Sequence, residues 1–333
     1  MHAETDPAGT TAPRIIERIV STTNPRYGCA PEHRSIEDMF RRSIIIVDKT
    51  RGPTSHEVVA WVKDILSVGR AGHSGTLDPK VTGVLPVALE DATKIVKQLL
   101  DIGKEYVCLM RLHGDVDDEA LSRVFKEFTG VILQRPPVKS AVKRQVRPRE
   151  IYELEMLERE GSYVLVRVSC QAGTYVRKLV YDIGLALGCG ANMAELRRTR
   201  VGEFTEDHLV TLQDIADARH AYLASEDEAP LRRMLIPMER AVDHLSTIWI
   251  KDSAVDAICH GADVAIPGIV RLEDSVRKGQ RVAVMSLKGE LVALGTARMS
   301  AHAIGGGTEG IAVTTTRVLM DPGTYPSHWK GSV

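Results

Sequence analysis

The sequence predicts an α/β (α+β) fold, in which a sheet with flanking helices is followed by a small β-barrel. The run Ser43–Val47 is apolar throughout, as in a buried strand. A later strand is indicated by the alternating residues Tyr106, Cys108, Met110 and Leu112. Beyond Ser246 the apolar runs become short and are separated by turns, which is typical of a small barrel. A length of 333 residues suits two domains.

The larger domain is predicted to alternate strands with helices. The first helix begins at Thr54, because Thr54 and Glu57 fit a capping box. A loop with four glycines between positions 69 and 83 follows it. The pattern then predicts a strand over 84–89, helices over 92–100 and 118–128, a strand over 163–170, and a helix over 174–187 that Gly188 closes.

We place the domain boundaries near residues 40 and 246. Residues 1–40 form an N-terminal extension rich in Pro, Thr, Gly and Ala, residues 41–246 form the larger domain, and residues 247–333 form the barrel. In the barrel, Ser253–His260 is predicted to be a helix, and Leu287–Glu290 a hairpin between two apolar runs. The sequence does not show whether the extension packs on the barrel.

Composition excludes several classes of protein. The formal net charge is −1, so any residues that bind nucleic acid must be gathered locally. The five cysteines are scattered and form no C-x-x-C pair, which argues against a disulfide framework or a zinc site. We expect reduced thiols in a cytoplasmic protein. The chain has no apolar run of roughly 18 residues, so we expect no membrane span.

Asp78 is the first candidate for chemistry. It lies in the glycine-rich loop directly before Pro79, whose ring restricts Asp78 to extended backbone angles. A loop constrained in this way can hold a carboxylate at a fixed angle. An aspartate before proline is also common in ordinary turns, and spacing alone does not separate the two interpretations.

Three further features have both a functional and an ordinary interpretation. Arg177, early in a predicted helix, can reach a carboxylate as a bidentate partner, or it is a solvated helix residue. Tyr106 is either a site residue or a core tyrosine, and His73 and Lys49 are ordinary loop residues from pattern alone. Residues 135–149 carry six cations and no acid, which suits a phosphate backbone as well as a solvated face. The cations that we assign to RNA binding are Lys139, Lys143, Arg144, Arg147 and Arg149.

The motifs, taken together, resemble the TruB/dyskerin family of pseudouridine synthases. The resemblance rests on five blocks in the order of the family, namely Lys49 with Pro53, Gly72–Pro79 with Thr82–Leu85, Lys104–Tyr106, Gly173–Arg177 and Leu196–Gly202. Within the family the chain is most similar to archaeal dyskerin-type enzymes, through Gln134–Arg144, Ala257–Ala262 and Pro267–Ile269. The C-terminal module resembles a PUA domain.

The resemblance implies the fold, the reaction and the roles of the site residues. It implies a mixed, largely antiparallel sheet with an RNA cleft across it, and isomerisation of uridine to pseudouridine with no cofactor or metal. Asp78 would be the nucleophile, Arg177 would orient it, and Tyr106 would stack on the flipped base. Leu196 and His73 would contact substrate RNA. Lys49 belongs to the same substrate site, in a structural or supporting role.

The resemblance also implies partners. These are a box H/ACA guide RNA, substrate rRNA or tRNA, two small accessory proteins and a kink-turn-binding ribosomal-type protein, with no membrane partner. Two alternatives stay open, namely a stand-alone isomerase of the tRNA T-loop and a non-catalytic RNA-binding scaffold. A small-molecule enzyme is disfavoured, because the sequence has no Rossmann, P-loop or metal signature.

Overall fold

The computed structural model describes residues 13–136 and 145–327. Lys139, Lys143 and Arg144, which the sequence assigns to RNA binding, lie outside the described residues. The strands are β1 (Ile15–Glu17), β2 (Ser43–Lys49), β3 (Ala71–His73), β4 (Thr82–Leu89), β5 (Lys104–Leu112), β6 (Gly130–Gln134), β7 (Arg147–Glu160), β8 (Tyr163–Cys170), β9 (Ala191–Val201), β10 (Phe204–Thr205), β11 (Leu209–Val210), β12 (Ile236–Pro237), β13 (Ser246–Ile250), β14 (Val264–Ala265), β15 (Ile269–Glu273), β16 (Arg281–Met285), β17 (Leu291–Ala297) and β18 (Ile311–Val318). The α-helices are α1 (Ile36–Arg41), α2 (Ser55–Leu66), α3 (Val96–Leu100), α4 (Asp118–Phe128), α5 (Val176–Ala186), α6 (Leu212–Ser225), α7 (Ala229–Met234), α8 (Asp252–Cys259) and α9 (Ala301–Gly306).

The larger compact unit, residues 40–236, is built on a mixed sheet. Its strand order is β11-β2-β4-β9-β5-β8-β7-β6. Most neighbours are antiparallel, while β11 with β2 and β4 with β9 are parallel. The prediction of a mixed, largely antiparallel sheet is therefore confirmed.

Local sequence explains the first half of this unit. Strand β2 is buried because Ile44–Val47 are apolar on both faces of the strand, and Ile44, Ile45 and Ile46 have no exposed surface. Each such side chain contributes about 1.5–3 kcal/mol through burial. Helix α2 begins after Thr54, which forms the predicted capping box with Glu57.

The parallel contact between β4 and β9 is short and requires a glycine. It joins Thr82 to Arg197 and Gly83 to Arg198. Gly83 has φ +101°, and a Cβ on it would lie 2.1 Å from the carbonyl oxygen of Arg198. Only glycine allows β9 to approach β4 this closely. This approach brings the arginines of β9 beside the glycine-rich loop.

The smaller unit consists of residues 1–39 and 237–333, of which 13–39 and 237–327 are described. Its sheet has the order β1-β15-β13-β16-β17-β18-β14 around an apolar core. The extension belongs to this sheet, because β1 pairs with β15. The guanidinium of Arg18 also donates to the carbonyls of Ile266, Ile269, Ile304 and Gly307 at 2.6–2.9 Å. The chain enters this unit at Pro237, and β13 begins at Ser246.

The helices and the cysteines of the described residues bear on the membrane and disulfide predictions. No α-helix in 13–136 or 145–327 has the length and apolarity needed to cross a membrane. The five cysteines, all within the described residues, form no disulfide bond. Burial raises the pKa of the Cys108 thiol to about 12 and that of Cys170 to about 11, so neither is a reactive thiolate at neutral pH.

Candidate active site

The glycine-rich loop turns the side chain of Asp78 outward. Leu77 and Val81, on either side, are each 3% exposed and belong to the core cluster of the larger unit. The amide of Val81 donates to the carbonyl of Asp78 at 2.9 Å, which closes the turn between them. The side chain of Asp78 is 55% exposed. The backbone of the loop is thus fixed in the core while its carboxylate faces solvent.

The buried ammonium of Lys49 binds the backbone of this loop. Its ammonium lies 2.9 Å from the carbonyl oxygen of Val81, 3.0 Å from that of Thr50, 3.3 Å from that of Asp78 and 3.5 Å from that of Pro79. The side chain has no exposed surface. Burial lowers the pKa of Lys49, and the charge of Asp78 opposes that effect. This placement favours the supporting role over direct contact with RNA.

Ser55, at the start of α2, binds the same loop from its other side. Its hydroxyl donates to the carbonyl of Leu77 at 3.1 Å and accepts from the amide of Leu77 at 2.9 Å. Ser55 is fully buried. The end of β2 and the start of α2 therefore together determine the backbone position one residue from Asp78.

Arg177 contacts Asp78 through Nη2 and Oδ2 at 2.5 Å. The expected partnership is present, although one contact replaces the bidentate arrangement. Arg177 is the second residue of α5, so it extends from the helix end that favours a negative charge. The two side chains are 58% and 55% exposed. An exposed pair contributes only about 0–1 kcal/mol, so the contact adds little to the stability of the free protein.

Tyr106 lies on β5 opposite Arg198 of β9. Tyr106 is 9% exposed, and burial raises its pKa, while the charge of Arg198 acts in the opposite direction. Tyr106 is therefore protonated at neutral pH, with a small part of its surface open.

Arg198 is a site residue that the sequence analysis did not single out. It is 1% exposed, and its guanidinium donates to the carbonyl of Val84 at 2.7 Å and to that of Gly75 at 3.2 Å. It therefore joins β4, the glycine-rich loop and Tyr106. Neighbouring arginines on one strand face opposite sides, so one of them points inward, but this signal identifies Arg198 only once β9 is known to be a strand.

A further buried cation lies close to Arg198. Lys104 donates to the carbonyls of Leu100 at 3.1 Å and Ile102 at 2.9 Å. Burial, together with the charge of Arg198, lowers the pKa of Lys104 to about 8. A Cβ on Gly75 would lie 3.4 Å from both cationic side chains. The glycine-rich loop therefore rests on positive charge, which suits a carboxylate or phosphate above it.

Two predicted RNA contacts lie on β3 and β9, strands that both pair with β4. His73 is the last residue of β3, half-buried, with its ring 4.8 Å from that of His56 in a T-shaped arrangement. Burial lowers the pKa of His73 to about 4, with smaller effects from His56 and Arg198, so its ring is neutral at physiological pH. Leu196 faces the same side of β9 as Arg198 and packs on the core cluster. These positions are compatible with substrate contact, which stays a prediction.

The described part of the basic segment (residues 135–149) contacts the backbone of the turn that precedes α5. Arg147 and Arg149 lie in β7 and are half-buried. The guanidinium of Arg149 donates to the carbonyl of Gly173 at 3.0 Å and to that of Pro148 at 2.8 Å. Within 13–136 and 145–327, no group of His, Cys, Asp and Glu is placed to hold a metal ion.

The larger unit thus combines a carboxylate in contact with an arginine and a tyrosine on a central strand of its mixed sheet. Models of known protein families match most of the chain. The N-terminal domain of the TruB family pseudouridylate synthases matches residues 63–176, and the C-terminal domain of tRNA pseudouridylate synthase B matches 177–243. A PUA domain matches 246–319, and a DKCLD (NUC011) domain matches 12–59. The chain belongs to the TruB family of pseudouridine synthases and is an RNA isomerase.

Individual relatives are similar over nearly the whole chain. The probable tRNA pseudouridine synthase B of Methanopyrus kandleri is 59% identical over 95% of this chain and 93% of its own length. That of Methanosarcina barkeri is 54% identical over the same shares. A solved Cbf5-Nop10-Gar1 complex contains a chain 52% identical, with a TM-score of 0.91 over 95% of this chain and 97% of that one. An H/ACA RNP bound to a substrate RNA containing 2′-deoxyuridine gives 50% identity and a TM-score of 0.90, over 96% and 98%.

Proposed function

We propose that Asp78 is the nucleophile with which this pseudouridine synthase releases the base of its target uridine. The observation that carries the proposal is the 2.5 Å contact of Arg177 with Asp78, on a loop that Lys49 binds from beneath. The target atoms are inaccessible inside a helix, so the nucleotide must be turned outward to reach the enzyme. An exposed carboxylate on a fixed loop suits such a substrate.

The reaction breaks the bond between N1 and C1′, turns the base, joins C5 to C1′, releases the C5 proton and leaves a proton on N1. It is redox-neutral. Asp78 supplies the nucleophilic or glycal-forming carboxylate, and Arg177 orients it. Tyr106 presents its open surface to the base, and its protonated hydroxyl is available for proton transfer. Leu196 lines the pocket, and neutral His73 contacts the RNA strand beside the flipped nucleotide.

We further propose that the enzyme is the catalytic subunit of a guided ribonucleoprotein. Support comes from its similarity to chains in the Cbf5-Nop10-Gar1 complex and in the substrate-bound H/ACA RNP. Its partners would be a box H/ACA guide RNA, two small accessory proteins and a kink-turn-binding protein, with rRNA or tRNA as substrate. The PUA domain would hold a terminal motif of the guide. Five cysteines that form no disulfide support a reducing, cytoplasmic location.

A second candidate is guide-independent action on the T-loop of tRNA. The relatives named tRNA pseudouridine synthase B favour it. One enzyme can carry out both activities, so the two proposals are separated by substrate rather than by active site. The scaffold alternative is disfavoured, because Asp78 and Arg177 are both present and in contact.

The test is tritium release from uridine labelled at C5. The full chain is incubated with tRNA alone, and separately with a target RNA, its guide and the accessory proteins. Release only in the second mixture supports the guided particle, and release with tRNA alone supports the stand-alone activity. RNA binding without release in either mixture would overturn the catalytic proposal in favour of the scaffold.

A further inference from the structure

Helix α5, which presents Arg177, begins without a capping side chain of its own. Its N-cap residue is Tyr175, two positions before Arg177, and no cap hydrogen bond comes from the Tyr175 side chain. The Tyr175 carbonyl accepts from the amides of Lys178 and Leu179, each at 3.0 Å. The Tyr175 amide is one of the first N–H groups of the helix, which are usually satisfied by groups outside the helix.

Gln134, the last residue of β6, binds both backbone groups of Tyr175. Its Oε1 accepts from the Tyr175 amide at 2.9 Å, and its Nε2 donates to the Tyr175 carbonyl at 3.2 Å. Gln134 is only 2% exposed, so both ends of a buried amide are used on one residue. A buried amide with both groups satisfied holds its partner in one position, because any shift would leave polar groups unpaired.

A second contact joins the same hairpin to the same turn. Gln134 pairs with Arg147 across β6 and β7, and two positions further along β7 the guanidinium of Arg149 donates to the carbonyl of Gly173. The start of α5 is therefore attached to the hairpin through Gly173 and Tyr175. The exposed contact of Arg177 with Asp78 is too weak to set the position of either residue. The position of Arg177 must come from its backbone.

We infer that Gln134 is a positioning residue for catalysis, which acts by fixing Tyr175 and, through it, the guanidinium of Arg177. This inference rests on the proposed roles of Asp78 and Arg177. Gln134 has too little exposed surface to bind RNA. Its loss should therefore lower the rate of the chemical step and leave RNA affinity nearly unchanged, since a displacement of about 1 Å costs roughly 100-fold in rate.

The experiment uses the full chain under whichever tritium-release conditions give activity. Gln134→Met keeps the length and burial of the side chain and removes both hydrogen bonds. We expect the single-turnover rate at saturating RNA to fall by about 10- to 100-fold, with the half-saturating RNA concentration changed by less than about threefold. Gln134→Glu, which keeps the acceptor and loses the donor, should fall between Gln134→Met and the unmodified protein.

The control is Val164→Ala, which removes buried methyl groups from the core cluster of the larger unit, to which Leu77 and Val81 also belong. Its Tm should fall while its rate is retained. In the Arg177→Lys background, Gln134→Met should cost less than about threefold, because the residue through which it acts is already altered. An equal cost in both backgrounds, or a weakened affinity with an unchanged rate, would overturn the inference. Full activity of Arg177→Lys and Arg177→Ala would instead overturn the catalytic pair, and this inference with it.

Discussion

Replacing Lys49 with methionine tests whether the buried ammonium fixes the catalytic loop. Methionine has a similar length and suits the buried site, but it cannot donate to the carbonyls of Val81, Thr50 and Asp78. The backbone on both sides of Asp78 would then lose its buried donor. We expect lower stability and a loss of rate that exceeds what the lower stability explains.

The size of the effect follows from the contacts. The two closest, at 2.9 and 3.0 Å, are charge-assisted hydrogen bonds that contribute about 1.5–3 kcal/mol each. Removing a buried ammonium recovers several kcal/mol of desolvation, which is also what lowers the pKa of Lys49. We therefore expect a net loss of about 2 kcal/mol in the free energy of unfolding. For a unit of this size, that corresponds to a Tm lower by about 4–8 °C.

The loss of reaction rate should be larger than the lower stability alone explains. A free loop lets Asp78 move by about 1 Å, which costs roughly 100-fold in rate. The assay is single-turnover tritium release well below the Tm of the variant, with thermal unfolding followed in parallel. The matched control is Lys63→Met on the exposed face of α2, which should change neither quantity. If Lys49→Met keeps its rate within about threefold while the Tm falls as expected, Lys49 supports only the fold.

The remaining predictions concern the loop and its surroundings. Asp78→Asn should abolish isomerisation and leave RNA binding within a few-fold, whereas the exposed Asp64→Asn should leave both intact; substantial turnover by Asp78→Asn would exclude the nucleophile. Gly83→Ala should destabilise the larger unit by about 2–4 kcal/mol in urea unfolding, because a Cβ would meet the Arg198 carbonyl at positive φ, and a smaller change would show that β9 can retreat. The folded pKa of Lys104 is about 8, below the ordinary 10.5, so the unfolded chain binds more protons than the folded protein between these two pH values. As pH rises from 8 to 10.5, the free energy of unfolding should therefore increase by about 3 kcal/mol relative to that of Lys104→Met. A pH-independent difference between these two proteins would show that Lys104 titrates normally.

The first half of the larger unit was predictable because its signals are local. The apolar run of β2 and the capping box of Thr54 each depend on a few neighbouring residues. The motif resemblance also predicted that Asp78 and Arg177 would meet, although 99 positions separate them. Spacing alone had left both residues with ordinary alternatives.

Strand β9 was not predictable from local pattern, although it lies at the centre of the sheet. Its arginines obscure the alternation that marks a strand. Each is satisfied by a distant group, since Arg197 pairs with Asp48, Arg200 pairs with Glu105, and Arg198 turns inward to backbone carbonyls. Partners of this kind are known only once the sheet order is known. The same reason explains why the acceptors of Lys49, up to 32 positions away, were not foreseen.

The buried polar contacts and the exposed ion pair have different roles in the site. In the free protein, water screens the contact of Arg177 with Asp78, so this contact cannot hold either side chain in place. Lys49 fixes the backbone beneath Asp78, and Gln134 fixes the start of the helix that carries Arg177. In the proposed reaction RNA would cover the site and exclude water, and the same ion pair would become stronger because the local dielectric falls. The pair would then orient the carboxylate during the chemical step, without any need for the protein to reorganise.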